Sequence, residues 1–148
     1  MKRIVFIVSQ LSQPRCIKRV KAFFEAGYEV EVYGFDNGLY SKNISSYPCE
    51  IHKTPVNGRA GKLKSILQNV RLVSAATRSL KKNDLIYIFG IEMAVYYRLF
   101  GRRNPFIYEQ ADLNYTKLHH TTLVSLFKRI DKFLISKSYK TVLTSQGF

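Results

Sequence analysis

At 148 residues the chain is long enough for one domain with a real core and short for two, and its 46% hydrophobic, 14% aromatic and 23% charged residues, with 4 Pro and 8 Gly, exclude a disordered or fibrous protein. Its 24 Lys and Arg against 10 Asp and Glu leave a net charge of +14, which favours anionic partners without choosing among nucleic acid, anionic lipid and phosphorylated substrates. The 2 cysteines, Cys16 and Cys49, lack the paired spacing of a metal site or disulfide framework and fit a reducing compartment, and no apolar run approaches the ~20 residues that a membrane span requires.

The basic start Met1-Lys2-Arg3 leads into an apolar run too short for a signal peptide. That run, Ile4 to Val8, is β-branched and aromatic throughout, as expected of a strand buried on both faces in the middle of a parallel sheet. After a polar turn, Pro14 suits a first helical position, Ile17, Val20, Phe23 and Phe24 recur at helical spacing, and Gly27 supplies the stop. Tyr28 to Gly34 reads as a second strand, Asp36 to Tyr47 with its serine cluster as a surface loop, and Glu50 to Lys53 as a third strand near a sheet edge.

From Lys62 to Lys82 the apolar Leu63, Ile66, Leu67, Val70, Val73 and Leu80 fall on one helical face, while Lys64, Arg71 and Arg78 repeat on another. Asp84 to Phe89 is a fourth predicted strand, Met93 to Phe100 a short helix, and Pro105 to Glu109 a fifth strand. Leu123, Leu126, Phe127, Ile130, Phe133 and Leu134 trace another amphipathic helix, and Thr141 to Leu143 begins a sixth strand. Strands alternating with helices predict one α/β domain over residues 1–148: a Rossmann-like, doubly wound parallel sheet with helices on both faces. The last residues, Thr144 to Phe148, read as a cut end rather than a finished one.

In such sheets ligands bind beyond the carboxyl ends of the strands. That rule points to Ser9 to Arg15, Phe89 to Glu92, Glu109 to Asn114 and Thr144 to Gln146. The first of these loops carries neither G-x-G-x-x-G nor G-x-x-x-x-G-K-[ST], which disfavours a dinucleotide oxidoreductase or a P-loop enzyme. It offers instead Ser9, Gln10 and Arg15, polar groups suited to sugar hydroxyls or phosphate oxygens. Glu92, Glu109 and Asp112 are the acids expected at the same edge, able to position a hydroxyl or to cap a helix. His119 and His120 are adjacent and would point apart on a helix, so no metal site is expected, and Cys16 falls in phase with a buried helix face as a core thiol. The cations Lys64, Arg71 and Arg78 suit a solvated face or an anionic membrane surface, and the absence of a base-reading motif argues against nucleic acid.

Several segments together resemble the N-terminal domain of glycosyltransferase family 4, whose GT-B fold sets two Rossmann-like domains face to face. They are Ile4-Val5-Phe6-Ile7-Val8-Ser9, Gln13-Pro14-Arg15 with Arg19 one turn on, and Ala26-Gly27-Tyr28-Glu29-Val30-Glu31-Val32-Tyr33-Gly34-Phe35. Further along stand Asp84-Leu85-Ile86-Tyr87-Ile88-Phe89-Gly90, Tyr108-Glu109 with Asp112-Leu113, and Thr144-Ser145-Gln146-Gly147-Phe148. The resemblance implies an acceptor-side domain and carries over Asp112 alone, as the catalytic-edge acid; the strand-end residues Ser9, Gln10, Arg15, Glu92 and Glu109 are then expected to bind the acceptor. It also implies that the nucleotide-sugar donor is a substrate held mainly by a C-terminal domain absent from this chain, which alone would be inactive and needs no cofactor. Family members often carry a His before that Asp; Ala111 stands there in this sequence. The implied protein is a cytoplasmic transferase of cell-surface polysaccharide synthesis, peripheral at the inner membrane face and acting on a glycan or lipid-linked acceptor. Two alternatives remain open: a stand-alone basic module for anionic membrane or nucleic acid, and another Rossmann-like sugar-nucleotide enzyme such as an epimerase.

Overall fold

A computed structural model of the protein describes residues 2–38, 41–55, 61–78, 80–110 and 121–143. The strands are β1 (Arg3–Val8), β2 (Glu29–Asp36), β3 (Glu50–Pro55), β4 (Leu85–Phe89), β5 (Phe106–Gln110) and β6 (Lys140–Leu143). The helices are α1 (Pro14–Glu25), α2 (Ser41–Ile44), α3 (Lys62–Arg78), α4 (Ile91–Phe100) and α5 (Thr121–Lys137). All six strands join one sheet in the order β3-β2-β1-β4-β5-β6, every pairing parallel, with β1 registered between β2 and β4. This is the Rossmann-like, doubly wound layer expected from the alternation, and β3 lies at an edge as its short mixed sequence predicts.

β1 reads as a continuous apolar run because both of its faces are covered. Val5 and Ile7 join a cluster with Val73 and Ala76 of α3, Met93 and Tyr97 of α4, and Leu134 of α5. Ile4, Phe6 and Val8 join the opposite cluster, with Cys16, Ile17 and Val20 of α1 and Tyr87 and Phe89 of β4. Phe6 stacks on Tyr87 with ring centroids 4.8 Å apart, and Phe23 meets both rings edge-on. α1 ends where Gly27 adopts φ 83°: its N–H reaches the Phe24 carbonyl, and Tyr28 N–H reaches that of Phe23, the paired closure that a glycine in left-handed conformation makes possible.

Two expectations are corrected. The segment 36–47 is not loop throughout, since α2 forms within it and buries Ile44, with Tyr47 just beyond. The apolar face of α3 is covered only along its second half: Leu72, Val73 and Ala76 are buried, whereas Leu63, Ile66 and Leu67 are 80%, 44% and 56% exposed. Phe24, in phase with the α1 stripe, is likewise exposed.

Candidate functional site at the carboxyl edge

The turn after β1 is pinned rather than free. Leu11 N–H bonds the Phe35 carbonyl at 3.0 Å, its own carbonyl accepts from the Tyr47 hydroxyl at 2.8 Å, and Asn43 Nδ2 donates to the Ser12 carbonyl at 3.4 Å. α2 and the residues after it therefore clamp this turn onto the end of β2. The close approach depends on Gly34, where a Cβ would lie 2.5 Å from Val8 Cγ2 and 2.8 Å from Leu11 Cγ. Those atoms belong to a stiff β-branched side chain and a packed leucine, so neither yields cheaply. We expect Gly34→Ala to cost about 2 kcal/mol in urea unfolding and to displace the turn, seen as shifted amide resonances in residues 9–13. Wild-type stability with unmoved resonances would show the approach to be looser.

Ser9 is exposed and Gln10 half-buried, its Nε2 donating to Ser12 Oγ at 3.1 Å. Pro14 opens α1, and the exposed Arg15 follows on its first turn. After β4, Gly90 takes φ 81° and its N–H bonds the Glu109 carbonyl at 2.9 Å, turning the chain into α4. Glu92 stands exposed on the first turn of α4, a favourable place for an anion on the helix dipole, and accepts from Asn69 Nδ2 of α3 at 3.2 Å. Ser9, Gln10, Arg15 and Glu92 thus all emerge at the carboxyl edge. Asp112, Ala111 and the pair His119 and His120 lie outside the described residues.

Glu109 departs from the expected open acid. It is 0% exposed, and Oε2 accepts from the Tyr87 hydroxyl at 2.5 Å and from Arg19 Nε at 3.2 Å, while Oε1 has no partner among the described residues. An acid with no surface does not face an acceptor directly; its contact with the site runs through Arg19, whose side chain is 42% exposed. Burial, followed by the Glu109 carboxylate, pushes the Tyr87 phenol far above its ordinary range, so Tyr87 stays a donor. Sequence reasoning placed Arg19 only within a motif, passed over Lys18, and missed Tyr87; the signal for the cations was their i, i+3, i+4 spacing with Arg15.

Cys16 lies in the core beneath α1, its Sγ 3.6 Å from Gln13 Oε1. Burial, with the Glu109 charge second, pushes the thiol from 9.0 up to about 12, and burial pushes Cys49 up to about 11. Both groups keep in the fold a proton that the unfolded chain releases above pH ~9. Their contribution is therefore complete below that value and is lost as pH rises through the folded values. We expect unfolding free energy to be flat from neutral pH to about 9 and then to fall, more shallowly in Cys16→Ala. An unchanged slope in that variant would assign the loss elsewhere.

Among the described residues no group of three His, Cys, Asp or Glu side chains is placed to hold a metal ion. A 350 Å³ cleft is lined by Pro14, Arg15, Lys18 and Arg19.

Six parallel strands in this order, with helices on both faces, define a Rossmann-like α/β domain of the kind that forms one half of a GT-B fold. Among solved structures the chain is similar to MurG from Acinetobacter baumannii, at TM-score 0.57 and 12% identity, over 100% of this chain and 43% of that one. The chain therefore spans less than half the length of that protein, and at this identity the likeness shows the fold alone. No family model matches the sequence, and no curated protein matches it.

Proposed function

We propose that this chain is the acceptor-side, N-terminal half of a GT-B glycosyltransferase resembling family 4. The whole enzyme moves a sugar from a nucleotide-sugar to a glycan or lipid-linked acceptor in cell-surface polysaccharide synthesis. The observation that carries this reading is the likeness to MurG over the full length of this chain but only 43% of that protein. One Rossmann-like half with an open, polar carboxyl edge fits a transferase whose donor domain lies elsewhere.

Transfer requires an acceptor hydroxyl to attack the anomeric carbon while the nucleoside diphosphate departs with the bonding electrons. In this reading the absent domain stabilises that diphosphate. Ser9, Gln10 and Glu92 orient acceptor hydroxyls, Arg15 meets an anionic part of the acceptor, and Asp112 is the catalytic acid that the family resemblance assigns. Glu109 acts behind them by holding Arg19. The test is calorimetric titration of this chain with a panel of nucleotide-sugars. We expect no saturable heat, whereas tight binding would overturn the acceptor-side assignment in favour of a sugar-nucleotide enzyme of the epimerase kind.

A cytoplasmic place at the inner membrane face belongs to the same reading. No helix among the described residues is long and apolar enough to cross a membrane. The exposed apolar stripe of α3 has Lys62 and Lys64 about 100° to either side of Leu63, with Arg71 and Arg78 exposed further along. Such a face lets leucines enter the headgroup boundary while lysines meet anionic lipid. We expect sedimentation with anionic but not neutral vesicles, weakening as salt rises, and about tenfold weaker binding when Leu63→Gln and Leu67→Gln are combined. Equal binding to neutral vesicles would remove the electrostatic part.

A further inference from the structure

We propose that Asn69 is a positioning residue: from its buried place on α3 it holds the Glu92 carboxylate at the crevice between the ends of β1 and β4, where that carboxylate takes two adjacent hydroxyls of a pyranose ring. The role of that sugar as acceptor rests on the transferase reading; the saccharide contact itself does not.

The crevice follows from the order of the strands. The chain winds outward from β1 through β2 to β3 on one side and from β4 through β5 to β6 on the other, so the direction reverses between β1 and β4. Ile7 pairs with Ile88, and Ser9 and Gly90, two residues beyond each, therefore leave the sheet side by side. From there the chains part. α1 packs Cys16, Ile17 and Val20 on one face of the sheet, and α4 packs Met93, Ala94 and Tyr97 on the other. A gap between diverging chains at the carboxyl edge is where open α/β sheets take ligands. Glu92, two residues beyond Gly90, stands exposed on its α4 side.

Two features of Glu92 and Asn69 go beyond what the fold requires. Asn69 is 5% exposed, on a buried stripe of α3 shared with Leu72, Val73, Ala76 and Thr77. Thr77 satisfies its hydroxyl on its own helix, at the Val73 carbonyl 2.9 Å away. Asn69 reaches instead to another helix, its Nδ2 donating to Glu92 Oε1 at 3.2 Å. A leucine at that place would favour the helix and pack without a polar group to bury. The second feature is charge: in a chain of net charge +14, Glu92 enters no ion pair among the described residues. What the Asn69 bond adds is orientation, since a solvated glutamate at a helix start is already satisfied by water and the dipole. A carboxylate held by one oxygen keeps further acceptor positions for O–H donors, and hydroxyl bonds to a charged oxygen are strong. An acceptor-only group of this kind takes hydroxyls and repels phosphate.

The experiment titrates the chain with the methyl pyranosides of glucose, galactose and mannose, and with cyclohexanol, a ring with one hydroxyl. Binding is followed by NMR at the Asn69 side-chain amide and the Glu92 backbone amide. We expect saturable shifts at both groups with at least one glycoside and none with cyclohexanol. Asn69→Leu is expected to keep the wild-type unfolding midpoint and to weaken that binding roughly tenfold. Glu92→Ala, a surface change, is expected to weaken it at least as much, and the double variant no further than Glu92→Ala alone, because Asn69 acts through Glu92. Additive losses in the double variant would overturn the positioning role. Wild-type binding by Asn69→Leu, whether or not its stability changes, would also overturn it by reducing the bond to a tie between helices. No saturable glycoside binding, or equal binding of cyclohexanol, would overturn the saccharide contact. Glycoside binding in a protein that transfers no sugar would leave the contact standing and remove the transferase reading; transfer without shifts at Asn69 and Glu92 would do the reverse.

Discussion

Glu109→Ala is expected to lower the unfolding free energy by about 3 kcal/mol, measured in urea. Two terms contribute. Tyr87 is 1% exposed and its hydroxyl loses the carboxylate it donates to, which for a buried donor costs roughly 1–3 kcal/mol. The missing carboxyl leaves unfilled space beside the Tyr87 hydroxyl, worth about another 1 kcal/mol. The ion pair with Arg19 adds little, because that side chain is 42% exposed and solvent replaces its partner. Glu109→Gln keeps an acceptor oxygen for Tyr87 and is expected to cost only about 1 kcal/mol. Adding Tyr87→Phe to Glu109→Ala removes the orphaned hydroxyl, so the double variant is expected to be less destabilised than the two single losses sum to. Strict additivity would show that the short Tyr87 bond contributes nothing.

Arg3→Met is expected to cost a comparable ~3 kcal/mol, at the opposite end of the sheet. Arg3 Nη2 lies 2.6 Å from Glu31 Oε1 and Nη1 lies 3.0 Å from Asp84 Oδ2, with side-chain exposures of 12%, 16% and 8%. One guanidinium thus ties the start of β1 to β2 and to the turn before β4. Methionine keeps the apolar stem but leaves two largely buried carboxylates without their cation. The penalty belongs to the stranded acids rather than to the pair, so combining Arg3→Met with Glu31→Gln and Asp84→Asn is expected to recover a large part of it. A triple variant less stable than Arg3→Met alone would assign the network a net stabilising role.

The contrast between these two networks and the strands shows what the sequence could disclose. β1 was legible because burial on both faces leaves a continuous apolar run, and α1 because Pro14 and Gly27 mark its ends. α2 was hidden: a four-residue helix carries too little periodicity, and the buried Ile44 and Tyr47 three residues apart were its only trace. In α3 the apolar repeat from Leu63 to Val73 lies on the helix, whereas Leu80, expected on it, falls beyond the helix end at Arg78; periodicity records a stripe and not whether another element covers it, so the exposure of Leu63 and Leu67 emerges only with the fold.

The site divides the same way. The rule of the strand carboxyl ends brings Ser9, Gln10, Arg15 and Glu92 to one edge without reference to any relative. The same rule marked Glu109, but not its depth, because an acid at a strand end looks alike whether it meets solvent or a tyrosine on the neighbouring strand. Its pairing with Arg19 spans 90 residues and depends on α1 packing on the sheet face that carries Tyr87, which no local pattern encodes.

The most direct measurement is sugar transfer by the natural protein containing this chain, using a panel of labelled nucleotide-sugars with lipid-linked and glycan acceptors. We expect label from one donor to pass to an acceptor, and the transfer to weaken in Arg15→Ala with donor affinity unchanged. Label that stays on the nucleotide-sugar, or is rearranged there without reaching any acceptor, would contradict the acceptor-side assignment.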